Sequence, residues 1–179
     1  DHAIIRTESA TTTSIADLAF YDNSEDGDIK YTATTTGTDA LTVLNASTTL
    51  YIWGGDTFEP AGNVTLPGSL TGGAGATYTG STTAYTLTFT GTTTGLTVGP
   101  LSGNAGDVVF NGSGGGWNLY GLEVQDFTVT NGTVTLQSGT LSVNGDFTQN
   151  GTFTNPGGVL KIDGATYDIS LATFDSIAL

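Results

Sequence analysis

The chain has 179 residues and sets 17 acidic side chains against three basic ones (Arg6, Lys30 and Lys161), a formal charge of −14. That balance disfavours the phosphates of nucleic acid and an anionic bilayer, and no apolar run is long enough for a membrane-spanning helix. Cysteine and methionine are absent, which excludes disulfides and thiolate metal sites.

The rest of the composition is that of a secreted β protein. There are 27 glycines, threonine dominates, and 11% of residues are charged, well below the usual share of about 25%. Threonine is β-branched and at home on strands. The low hydrophobic content of 37% is patterned, which argues against disorder. A start at Asp1 in place of Met leads us to expect a processed or excerpted chain.

Residues 1–20 (DHAIIRTESATTTSIADLAF) are the least regular. Ala3-Ile4-Ile5 reads as a short strand, and 14–20 as a strand or one helical turn. The segment is an N-terminal edge strand, or an arm that adds a strand to a neighbouring subunit. Residues 21–179 read as a single all-β domain. In 22–28, Asp22, Ser24, Asp26 and Gly27 follow the opening of a calcium loop, with Asp28 next. The closing position of that pattern is Ala33 where a bidentate Glu belongs. An acidic solvated turn is therefore the plainer reading; no cofactor is expected, with calcium as the alternative.

Alternating strands follow at 29–33, 40–44 and 49–53. Tyr51, Trp53 and Phe58 are core packing, or alternatively a sugar-stacking platform. A strand at 63–66 leads into a Gly/Ala/Ser/Thr stretch at 68–83, then strands at 84–90 and 95–98. Gly112 to Gly116 is the loosest point, a boundary or a wide turn. Asn45, Asn63, Asn111, Asn131 and Asn150 each open an Asn-x-Ser/Thr pattern, a glycosylation acceptor in a secreted chain. Enzymatic signatures are missing. His2 is the only histidine, which disfavours a Ser-His-Asp arrangement, and no phosphate-cradling loop occurs. Asp56 and Glu59 are the nearest to a glycosidase pair, and read more simply as solvated turn carboxylates.

The regular part is 105–179, and 121–164 shows its plan. Short runs such as Thr133-Val134-Thr135-Leu136 and Thr140-Leu141-Ser142-Val143 alternate polar and apolar residues, the strand period of two. Asn-Gly, Ser-Gly or Asp-Gly closes them. A shift of 19 residues overlays the stretch on itself. Leu122, Leu141, Leu160 and Leu179 form one row; Val124, Val143 and Ile162 a second; Val134 and Phe153 a third. Trp117 falls in register with Leu136, and Leu136 with Asn155, unless Asn155 belongs to the turn before Pro156. Phe127 meets Phe147 only if one corner gains a residue. Such a period indicates a β-solenoid, one coil per repeat, with Leu141 beside Leu160 and Val143 beside Ile162 on parallel strands. The alternative is an antiparallel sandwich or jelly roll, since Asn-Gly also marks hairpins.

Segments such as Gly139-Thr140-Leu141-Ser142-Val143-Asn144-Gly145-Asp146-Phe147 resemble the repeats of filamentous-haemagglutinin-like and autotransporter-type β-solenoids of bacterial and archaeal surfaces. The resemblance covers 105–179 and implies a secreted, non-enzymatic role at the cell surface. We therefore expect a self-assembling subunit of an extracellular filament, sheath or layer whose partners are copies of itself. Ala3, Ile4 and Ile5 at one end and Phe174, Ile177 and Leu179 at the other are the expected joining residues. The alternative is an adhesin that holds a surface glycan through Trp53 or Trp117.

Overall fold

The computed structural model describes residues 49–52, 54–60, 62–80 and 85–163 in full, and otherwise only the strand backbones 4–7, 13–15, 29–33, 41–43, 173–174 and 177–178. Successive coils carry β1 (Ile4–Thr7) and β2 (Thr13–Ile15); β3 (Ile29–Ala33), β4 (Leu41–Val43) and β5 (Thr49–Ile52); β6 (Thr57–Glu59), β7 (Val64–Leu66) and β8 (Ser69–Gly72); β9 (Thr77–Tyr78), β10 (Thr86–Phe89) and β11 (Leu96–Val98). Then come β12 (Asp107–Leu119); β13 (Leu122–Val124) and β14 (Phe127–Leu136); β15 (Thr140–Val143), β16 (Phe147–Gln149) and β17 (Thr152–Asn155); β18 (Val159–Ile162), β19 (Thr173–Phe174) and β20 (Ile177–Ala178).

Every pairing among these strands is parallel, which rules out the sandwich and makes the chain an all-β solenoid. The strands form three faces. The first stacks β1, β3, β6 and β9, then β13, β15, β18 and β20, linked by bridges from Thr77 to Ser102 and from Asn104 to Glu123. The second stacks β2, β4, β7, β10, the first halves of β12 and β14, and β16. The third stacks β5, β8, β11, the second halves of β12 and β14, β17 and β19. The solenoid therefore runs through the first hundred residues as well, where the repeat is poorly visible in the sequence.

Alternation along each strand sends one side chain inward and the next outward. In β10 the inward pair is Leu87 and Phe89, and in β15 Leu141 and Val143. Parallel register then stacks like on like. Leu122, Leu141 and Leu160 are direct partners, as are Val124, Val143 and Ile162. The predicted row ends differently: Ile177 is the partner of Leu160, and Leu179 lies outside the described residues. The last two strands lie on different faces, β19 on the third and β20 on the first. Trp117 also departs from expectation, facing Val134 while Leu119 faces Leu136. The Gly112–Gly116 segment is the cause. It is the wide turn by which β12 passes from the second face to the third, and it spends two more residues than β14 between the same flanking partners, Phe110 with Val129 and Gly116 with Thr133.

Phe127 does meet Phe147 at a shift of 20 residues, because the corner Asn144–Asp146 has one residue more than the corner Gln125–Asp126. Aromatic stacking fills the middle of the core. Phe89 and Phe110 stack with centroids 4.8 Å apart, Phe127 and Phe147 at 5.4 Å, and Phe153 meets both of the latter edge-on. Each such contact adds about 0.5–1.5 kcal/mol beyond area burial. Asn155 is buried as the last residue of β17, with Phe174 as its partner in the next coil, and its Oδ1 accepts the Gly158 N–H of the following turn at 2.8 Å. Gln149, also buried, donates from Nε2 to the Gly151 carbonyl at 3.2 Å.

Candidate interaction surfaces

The inward rows leave three outward surfaces of different chemistry. The first face is charged: Glu123 accepts from Asn144 Nδ2 at 3.0 Å, and Lys161 pairs with Asp163. The second face carries an outward column that runs, partner to partner, through Thr65, Thr88, Val109, Thr128 and Thr148. Val109 has the shape of threonine and keeps the column's contour.

Beside that column, Asp107, Asp126 and Asp146 open the second-face strands of three successive coils. The Asp126 carboxylate accepts the Asp146 N–H at 2.8 Å, and Asp107 likewise accepts the Asp126 N–H. These carboxylates therefore cap backbone donors at a corner. No group of three or more potential ligands that could hold a metal occurs among the described residues. Desolvation, and secondarily the charge of Asp126, raise the Asp107 pKa above its ordinary value, while the Asp126 N–H acts the other way. The folded chain therefore binds more protons than the unfolded one between the ordinary and the raised pKa, and stability falls as pH rises through that window. An asparagine side chain at this position would keep the acceptor and lose the charge. Asp107→Asn is thus expected to raise the melting temperature at pH 7 and to leave it unchanged below the ordinary carboxylate pKa, as read by thermal denaturation at both pH values.

The third face has a column of its own: Thr49 and Ser69, then Thr97, Asn118, Thr135 and Thr154. Ser69 Oγ accepts the Thr97 N–H at 3.0 Å, which joins the two parts, and the Thr154 and Thr135 hydroxyls bond at 3.1 Å. Thr133 and Thr152, themselves partners, stand two residues before Thr135 and Thr154. No Asp, Glu, Lys or Arg lies in the described strands of this face. At its edge Thr94, Gly95, Gly114–Gly116, Trp117, Asn118, Gly132, Thr133 and Thr135 line an open depression of about 530 Å³.

The residues singled out from the sequence are placed as follows. Trp117 is 1% exposed and packs on Phe110, so it offers no sugar platform; its Nε1 has no hydrogen-bond partner among the described residues. Phe58 is buried against Tyr78, Tyr51 is 37% exposed, and Trp53 lies outside the described residues. Asp56 is wholly buried and Glu59 exposed, so the two do not share a solvated turn. Asn63, Asn111, Asn131 and Asn150 are all exposed. Asn131 donates from Nδ2 to Asn111 Oδ1 at 2.7 Å across adjacent coils, and Asn63 Oδ1 accepts the Thr86 N–H at 2.9 Å. Asn45 and the acidic segment Asp22, Ser24, Asp26 and Asp28 lie outside the described residues, as do Ala3 and Leu179. Ile4 and Ile5 fall in β1, Phe174 in β19 and Ile177 in β20.

Alternation made the two hydroxyl columns readable in principle, because the outward threonines sit between inward apolar residues. The signal missed was the register across coils of unequal length. No protein family, curated protein or solved structure matches the chain. What can be stated is its class: an all-β solenoid built of parallel coils, compatible with solenoid repeat proteins.

Proposed function

We propose that the chain is a non-enzymatic, extracellular structural protein, a self-assembling subunit of a surface filament, sheath or layer whose copies join head to tail by strand addition. The observation that carries this reading is the sheet order. On the first face β1 stands at one end and β20 at the other, each with a strand on one side only among the described strands. A parallel strand edge is a row of backbone donors and acceptors able to take a further strand. Because β1 pairs with β3 of its own chain, the joint is between the outer edge of β1 and the β20 edge of the next copy. A head-to-tail contact that does not close gives a filament.

Ile177 continues the Leu122–Leu141–Leu160 row, so Ile177→Lys sets a charge where the next coil would stack. Electron microscopy and sedimentation are expected to show fibres from the intact chain and monomers from Ile177→Lys and from a chain lacking residues 1–10. An intact chain that stays monomeric at high concentration, or variants that polymerise unchanged, would sink the reading.

A further inference from the structure

We infer that the third face binds a neutral, β-linked hexose polymer at a patch made by Asn118, Tyr120, Thr135 and Gln137. Asn118 and Thr135 are partners on adjacent coils and both stand outward. Tyr120 and Gln137 lie two residues further along the same coils, just past the strand ends. They stay in step there: the Tyr120 N–H donates to the Val98 carbonyl at 3.0 Å, and the Gln137 N–H to the Leu119 carbonyl at 2.9 Å. The four residues therefore mark the corners of one patch, roughly 4.8 Å across the coils and roughly 6.6 Å along them.

Each corner supplies what a sugar needs. Tyr120, 37% exposed, is among the most exposed large hydrophobic side chains of the described residues. Its ring is an apolar body on which the C–H face of a sugar packs, with a polar tip left in water. Gln137 Nε2 donates to Asn118 Oδ1 at 2.9 Å, which fixes both amides. Among the described residues the Asn118 Nδ2 and the Gln137 Oε1 have no further partner. A donor and an acceptor are thus held side by side, and a sugar hydroxyl is both. Asn118 and Thr135 also line the depression of about 530 Å³, where Gly114–Gly116 stand in place of larger side chains and leave room for a ring.

Charge selects the class of polymer. A chain of −14 repels an anionic polysaccharide, and the described strands of this face offer no carboxylate to a cationic one. A neutral polymer meets neither obstacle. Tyr51 is the comparison within the molecule, since it is also 37% exposed on this face. Around it the places of Asn118, Thr135 and Gln137 are taken by Thr49, Ser69 and Thr71, so it has a ring without the amide pair. The patch lies away from β1 and β20 and does not depend on the proposed joint between copies.

The test is isothermal titration of the intact chain, as monomer or fibre, with cellohexaose and mannohexaose, and with hexagalacturonate as the anionic comparison. Wild type is expected to bind a neutral hexaose and not hexagalacturonate. Tyr120→Ala and Gln137→Ala should each weaken binding about tenfold, the loss usual for a central contact. Tyr51→Ala should keep wild-type affinity, all variants having the wild-type melting temperature. If neither neutral hexaose binds, if hexagalacturonate binds as well, or if Tyr51→Ala loses as much as Tyr120→Ala, the inference is wrong. It is equally wrong if Tyr120→Ala changes the oligomeric state, because the patch then packs against another copy.

Discussion

Phe127→Ala is expected to cost about 3–5 kcal/mol. For a chain of this length each kcal/mol moves the melting temperature by roughly 2–4 °C, so a drop of roughly 10 °C follows. Phe127 is wholly buried and touches the rings of Phe110, Phe147 and Phe153. Truncation removes three aromatic contacts at once and leaves a void between coils held apart by their backbone ladders. The walls cannot collapse into it, because strand pairing fixes the coil spacing. Thr128, next in the same strand, points outward. Thr128→Ala is expected to change stability by no more than about 0.5 kcal/mol. Thermal and urea denaturation of the two variants measures the contrast, and equal losses would mean that the inward and outward assignments are wrong.

The second large effect belongs to a glycine. A Cβ at Gly112 would collide with the Gly91 carbonyl oxygen one coil away and sit 2.8 Å from the Gly91 carbonyl carbon and 3.0 Å from that of Thr90. All three are backbone atoms, and none can swing aside as a side chain would. Gly112→Ala must spread two coils at the wide turn that covers Trp117, and about 3 kcal/mol of destabilisation is expected. Gly95 provides the comparison. Its φ is +80° and a Cβ there meets nothing within 4 Å, so Gly95→Ala costs only the left-handed backbone term, roughly 1–2 kcal/mol. Urea midpoints of the two variants should therefore differ, Gly112→Ala lying lower. The reverse order would show that steric approach at the turn is not the limiting feature.

How much of this was legible in the sequence depends on coil length. Between Leu122 and Leu160 successive coils differ by a single corner residue or none, and like residues line up: leucine under leucine, valine under valine. Upstream, the coils vary. Leu70 pairs with Val98, a step of 28 residues, while Leu50 pairs with Leu70, a step of 20. No fixed shift finds such partners, and the expectation of a solenoid faded there although the ladder did not. The strands β8 and β9 were passed over for a related reason. Ser69-Leu70-Thr71-Gly72 has one apolar residue, and its strand state comes from pairing with β5 and β11 rather than from its own pattern. Trp117 stands two positions from its expected register because the glycine corner of β12 is two residues longer than that of β14, a difference no local pattern reveals. The hydroxyl columns were hidden longest, since a column is a property of several coils at once and no single stretch contains it.

Parallel pairing also fixes how the molecule would carry load. Backbone hydrogen bonds between coils lie along the solenoid axis, and β1 and β20 stand at opposite ends of the first face. Tension applied through those ends pulls coils apart one after another, so each ladder bears the force alone before it opens, as in an unzipping seam. A sheet sheared along its strands would instead share the load over all its bonds at once. Each 19-residue coil that opens releases about 60 Å of extended chain. The solenoid would thus yield gradually under stress, lengthening in steps while the coils still closed keep their core.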